Sequence, residues 1–162
     1  MALRAYARWN ENGLYIMARV NDDIHLNYQK GDYIWNGDSV QVAIDADHSQ
    51  TASFMPGDHE YVFALTDTGQ DKGSSYGKDA SFERIDFQVV RNEEEHMTYY
   101  LIRLPKEAVS PLKMQNGSQF GMNLAINDAD YISREYMDEL TYGTLYAKAP
   151  IYYYTWSLTG QE

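Results

Sequence analysis

Apolar and polar positions alternate with a period of two along most of this chain, the spacing of half-buried strands. Leu3, Ala5 and Ala7 alternate with Arg4, Tyr6 and Arg8; after the turn residues 10–13, Leu14, Ile16, Ala18 and Val20 alternate with Tyr15, Met17 and Arg19. The pattern predicts a β-hairpin. Residues 21–36 hold Asp, Asn, Gly and Lys without periodicity and read as a long connection. In DSVQVAID, Val40, Val42 and Ile44 point one way and Ser39, Gln41 and Ala43 the other.

Residues 45–58 are polar and end in Pro56-Gly57, a loop. EYVFALTD is a strand, and TGQDKGSSYGKDA after it reads as a flexible Gly/Ser-rich excursion. SFERIDFQVVRN and HMTYYLIRLP form a second hairpin across Asn92 to Glu95. A short helix is expected between Lys106 and Leu112, bounded by Pro105 and Pro111. GMNLAIND is a further strand, residues 129–150 read as loop, and IYYYTWSL closes the chain. About eight strands with almost no helical periodicity predict an all-β fold, an antiparallel β-sandwich of jelly-roll or immunoglobulin-like topology. With 162 residues and no internal repeat, a single module over 1–162 is expected.

Composition narrows the function. Twenty-four acidic residues against 13 basic ones give a net charge of -11, the wrong sign for a phosphate backbone, so nucleic acid is excluded as the expected partner. No stretch approaches the length of a membrane span, and MALRAYARWN lacks the apolar run of a signal peptide. The chain has no cysteine, which excludes disulfides, zinc–thiolate sites and thiol nucleophiles. Fifteen tyrosines outnumber lysine plus arginine, and tyrosine's flat ring with a hydroxyl rim suits wet binding surfaces.

Four pieces follow one another in order: RWNENGLYIMARVND, IWNGDSVQVAID, FGMNLAINDAD followed by Arg134, and KAPIYYYTWSL. They carry Trp9 with Leu14, Tyr15 and Ile16; Val20 and Asp22; Trp35, Asp38, Ser39, Val40 and Asp45; and Gly121, Asn123, Asn127 and Asp128, with Leu104-Pro105 between. This series resembles the family 9 carbohydrate-binding modules and the domains similar to them. The resemblance implies a β-sandwich without catalytic activity, attached to secreted glycoside hydrolases or bacterial surface proteins, and therefore extracellular and covalently joined to other domains. It also implies a terminal sugar held between two aromatic rings, polar groups reading its hydroxyls, and structural calcium. The apolar face of a pyranose stacks on an indole or phenol, while its hydroxyls need in-plane donors and acceptors.

Carried over by position, Trp35 matches the first aromatic, at the lip of a strand where an indole can stand clear of the core; it could equally cover the sandwich end. Tyr146, with Tyr142 as the alternative, stands for the second. Gln41 occupies the place of a ligand-facing glutamate, and Val62 that of an arginine. Glu60 is an expected acceptor, and Arg134 a further contact. The family opens with one more strand, and this chain begins after it. The rival expectation keeps the fold without the sugar, as a structural or protein-interaction module.

For calcium, which needs six to eight oxygen ligands, Asp45, Asp47, Asp58 and Glu60 form one group, Asn127, Asp128 and Asp130 a second, and Asn21, Asp22 and Asp23 a third. None has the spacing of an EF-hand loop. The four histidines lack the H-E-x-x-H pattern, and there is no G-x-S-x-G, phosphate loop or dinucleotide fingerprint, so an enzyme is not expected.

Overall fold

The computed structural model describes residues 2–139 and 148–160, with the backbone alone for 136–139. Among the described residues, ten strands lie in two antiparallel sheets. One sheet holds β1 (Ala2–Asn10), β2 (Gly13–Asn21), β6 (Asp86–Asn92) and β7 (Met97–Pro105) in the order β1-β2-β7-β6. The other holds β3 (Ser39–Asp45), β4 (Asp58–Thr66), β5 (Gly69–Tyr76), β8 (Gln119–Asp128) and β10 (Tyr154–Ser157) in the order β10-β8-β3-β4-β5. β9 (Tyr136–Glu139) pairs with residues 125–128 of β8 and β10 with residues 119–122, so the two short strands share one edge. The expected antiparallel sandwich is the observed fold.

The alternation read from the sequence sets the layers. Leu14, Ile16 and Ala18 of β2, Val40, Val42 and Ile44 of β3, and Leu124 and Ile126 of β8 face one another in a continuous core. Truncating one of these to alanine costs about 2–5 kcal/mol, transfer plus cavity. The two-residue turn between Asn10 and Gly13 closes the first hairpin, and Asn12 N–H donates to Asn10 Oδ1 at 2.8 Å. Gly13 has φ 150° and lies against the Leu104 carbonyl, where any Cβ would collide.

Four local expectations need correcting. The Gly/Ser-rich excursion is β5, an edge strand whose small residues are required by what lies on it. A Cβ at Gly73 would meet the Gly31 carbonyl oxygen and Asp32 Cα, so glycine lets the connection before β3 rest on the sheet. That connection is itself partly ordered into a 3-10 helix, Gly31–Asn36. Within the stretch read as loop, Tyr136–Glu139 forms β9. The helix expected near Lys106–Leu112 is a single 3-10 turn, Lys106–Val109, tied to the sheet by Tyr61 Oη donating to the Ala108 carbonyl at 2.7 Å.

Candidate carbohydrate site

The outer face of the six-stranded sheet carries the predicted site. Strand register puts Gln41 between Val62 of β4 and Ala125 of β8, and Ala43 between Glu60 and Asn123. Ser39 and Asn127 complete this face, with Asn127 Nδ2 donating to Ser39 Oγ at 2.9 Å. Gln41, Glu60, Asn123 and Asn127 are all buried, an unusual density of polar side chains on one sheet face. Lys148 brings its ammonium to 3.6 Å from Glu60 Oε2.

Trp35 sits on the 3-10 helix laid over this face. The helix is fixed at both ends. Gly31 N–H donates to Asp71 Oδ2 at 2.7 Å, and Asp32 Oδ1 accepts from Ser74 N–H at 3.0 Å and from Lys78 Nζ at 3.1 Å. Asn27, buried, donates to the carbonyls of Ile34 at 2.8 Å and Asp38 at 3.0 Å, and its Oδ1 accepts from Gln29 N–H. Asp38 joins this loop to β8, accepting from Leu26 N–H and from Ala129 N–H at 2.8 Å; burial raises its pKa to about 7.

The half-buried indole packs on a second, small core of Ile34, Val62 and Ala64. Val62, which the resemblance marks as the place of an arginine, is fully buried as the floor under Trp35. The Arg134 guanidinium carbon lies 4.9 Å from the Trp35 ring centre, a cation–π contact. Arg134 Nη1 donates to Asn127 Oδ1 at 3.0 Å, and its backbone N–H to the Asn36 carbonyl at 2.8 Å. Trp35, Gln41, Glu60 and Arg134 therefore belong to one face, but the ring is not a bare platform: an arginine covers it. Tyr142 and Tyr146 lie outside the described residues. Asn123 and Lys148 were not singled out as site residues from the sequence, and Asn127 was expected in a calcium group and not on this face. The two asparagines stand four apart in β8, alternating with Leu124 and Ile126, and that spacing already put them on Gln41's face.

The first expected acidic group comes together without Glu60, and the others are rearranged. Oxygens of Asp45, Asp47 and Asp58 lie within 4.8 Å of one another. Asp128 stands apart from them, grouped with Asp22 and Asp130, so the second and third expected groups merge where the ends of β2 and β8 meet. Asp45 and Asp58 are directly opposite on β3 and β4 and both buried, an arrangement of like charges that is unfavourable without compensation. Asp45 accepts from Ser49 N–H, Ser49 Oγ and Gln50 N–H. Asp58 Oδ2 accepts from Met55 N–H at 2.6 Å, but its buried Oδ1 has no hydrogen-bond partner. Burial, and then Asp45 and Asp47, push the Asp58 pKa up, against the Met55 bond that lowers it.

Residues 3–141 match the family model described as Carbohydrate family 9 binding domain-like. The chain belongs to that family. Two solved structures share the fold of this family 9-like domain, both of a carbohydrate binding module family 9 from Caldicellulosiruptor kristjanssonii. One, in complex with glucose, aligns at a TM-score of 0.82 and 20% identity, over 99% of this chain and 78% of that one. The other, in complex with cellotriose, gives 0.81 and 21%, over 100% and 78%. No curated protein matches the chain. The family is one of binding modules.

Proposed function

We propose that the chain binds a mono- or oligosaccharide on the outer face of the six-stranded sheet, with Trp35 as the stacking surface. The observation that carries this is an indole held outside the main core by a braced 3-10 helix, beside the polar row of Gln41, Asn127 and Arg134. Because the ring rests on Ile34, Val62 and Ala64, the sugar takes the face that Arg134 covers. The guanidinium then moves to sugar hydroxyls, exchanging a cation–π contact for donor bonds. Gln41 and Glu60 supply the amide and carboxylate that read the remaining hydroxyls, and Tyr146 or Tyr142 the second ring. Isothermal titration with glucose and cellotriose, the sugars in the two related structures, tests this. Trp35→Ala is expected to weaken binding by about tenfold or more, the scale of a lost aromatic contact. Equal affinity in wild type and Trp35→Ala contradicts the site, and binding of neither sugar by the wild type favours a structural module.

The wider context proposed is an extracellular accessory domain, joined to a glycoside hydrolase or another surface protein; family membership supports it. A structural calcium is proposed at Asp45, Asp47 and Asp58. The donor set is all oxygen, as calcium requires, and the buried Asp58 Oδ1 lacks a partner that a cation would supply. Asp128 with Asp22 and Asp130 is a second oxygen-only group of the same kind. Such an ion would neutralise the opposed carboxylates and fix the loop after β3. It has no part in sugar chemistry.

A further inference from the structure

The outer face of the four-stranded sheet lies apart from the Trp35 site. Register puts Arg4 directly opposite Arg19 in one row, and Arg8, Tyr15 and Arg103 together in another. Between these rows runs a strip of Tyr6, Met17 and Leu101. Four of the seven arginines of a chain with net charge -11 thus share one sheet face. Arg103 is paired with Asp86 Oδ2 at 2.7 Å. Among the described residues, Arg4, Arg8 and Arg19 have no carboxylate within ion-pair distance, although the chain carries 24 acids. Like charges directly across a strand pair are destabilising, so Arg4 opposite Arg19 works against folding unless an anion lies between them.

A groove of about 650 Å³ lies on this face; its lining is mostly apolar and includes Arg8, Arg103 and Asp86, while the Arg4–Arg19 row lies outside it, beyond the Tyr6–Met17–Leu101 strip. Its volume falls in the range of small-ligand sites, roughly 300–1,000 Å³. Its twelve lining residues are too few for a stable protein interface, which takes roughly 20–30 residues a side. Tyr6 is 57% exposed and Leu101 45%, so the strip is open to solvent.

We propose that this groove, together with the Arg4–Arg19 row beyond its apolar strip, binds a carboxylate-bearing oligosaccharide of the hexuronate class. The apolar faces of successive sugar rings lie on Tyr6 and the Met17–Leu101 strip. Arginine is the side chain whose planar fork matches a carboxylate with two parallel hydrogen bonds. Arg4 and Arg8 are four residues apart on β1, about 13 Å along a strand, and β1 lies two strand spacings, about 9.5 Å, from β7. No single carboxylate reaches both arginine rows, so the ligand carries at least two. A polyphosphate would meet the same arginines, but the acidic remainder of the chain repels a long polyanion, and the apolar strip has no role in gripping a phosphate backbone.

The test is isothermal titration of the whole chain with tetragalacturonate at low ionic strength. Saturable binding is expected, weakened by about tenfold or more in Arg8→Gln/Arg19→Gln, where charge-assisted pairs are lost. Tyr6→Ala and full methyl esterification of the oligomer should each weaken it as well, while Trp35→Ala leaves it unchanged. Circular dichroism verifies that the variants fold; the changes at Tyr6, Arg8 and Arg19 all lie on the outer face of the sheet. Absence of binding, unchanged affinity in the arginine variant, or equal binding of sugar-free polyacrylate or an oligothymidylate would overturn the proposal. Loss of binding in Trp35→Ala also overturns it, by moving the uronate to the other sheet. Cellotriose binding, read on the same variants, fails or succeeds independently.

Discussion

The two sheets treat their outer faces in opposite ways. On the six-stranded sheet, Gln41 and Glu60 are 6% and 1% exposed, on one face with Asn123 and Asn127, and the Lys148 ammonium lies 3.6 Å from Glu60. On the four-stranded sheet nothing lies above Tyr6 or Leu101 among the described residues, and unpaired arginines flank them. A polar group locked in a buried network meets its ligand with its rotamer already chosen, so less ordering entropy opposes binding. An exposed arginine loses that freedom on binding and is screened by salt, with a Debye length of about 10 Å at 0.1 M. The first face depends on architecture, the second on charge.

The sharpest way to break the comparison is at Gly73. Gly73→Val drives a side chain into the backbone of Gly31 and Asp32 and lifts the Trp35 helix from the sheet. Overpacking of this kind costs about 1–3 kcal/mol. Thermal melting should fall accordingly, and cellotriose binding should disappear while tetragalacturonate binding persists. Cellotriose binding at wild-type affinity would show that the helix does not position the ring.

Next in size is the cation. Removing calcium held at a hundredfold excess over its dissociation constant costs about 2.7 kcal/mol. In a domain of this length each kcal/mol moves Tm by about 2–4 °C. Chelation should therefore lower the wild-type Tm, and Asp58→Asn should abolish the difference. The four-stranded face should keep its affinity throughout. An unchanged Tm after verified metal removal contradicts the calcium assignment.

The smallest effect concerns pH. Burial, and then Asp128, push the Asp22 pKa up to about 6. The folded state therefore keeps this proton to higher pH than the unfolded chain. Its contribution to stability is full below the ordinary carboxylate range and is lost as pH rises through about 6. Asp22→Asn removes that titration. With chelator present, the variant should gain stability relative to wild type as pH rises from about 4 to 7, by about 1 kcal/mol at most once solvent screening is allowed for. A constant difference in Tm across that range would contradict the shift.

What could be read in the chain beforehand followed local period. The first hairpin, β3 and β8 alternate cleanly because each has one face on the main core. β5 was hidden because it lies at an edge under another backbone segment, so Gly73 and its neighbours look like a loop in composition. The site was half legible. Trp35 and Gln41 are marked by their place at the lip and outer face of β3, whereas Arg134 over the indole and Lys148 beside Glu60 are contacts between distant segments. Period also told nothing of Val62, whose burial follows from the small second core beneath Trp35. Asp22 and Asp128 met for the same long-range reason: two strand ends from different sheets.

The most direct measurement of the central claim uses the three indole N–H resonances of the protein, from Trp9, Trp35 and Trp156. Trp9 donates to the Thr159 carbonyl at 2.9 Å and Trp156 packs on the main core, so both report on the sandwich and not on the site. Titrating cellotriose into nitrogen-15-labelled protein should move the Trp35 indole signal in a saturable way and leave the other two in place. A shift confined to Trp9 or Trp156, or none at saturating sugar, would contradict it.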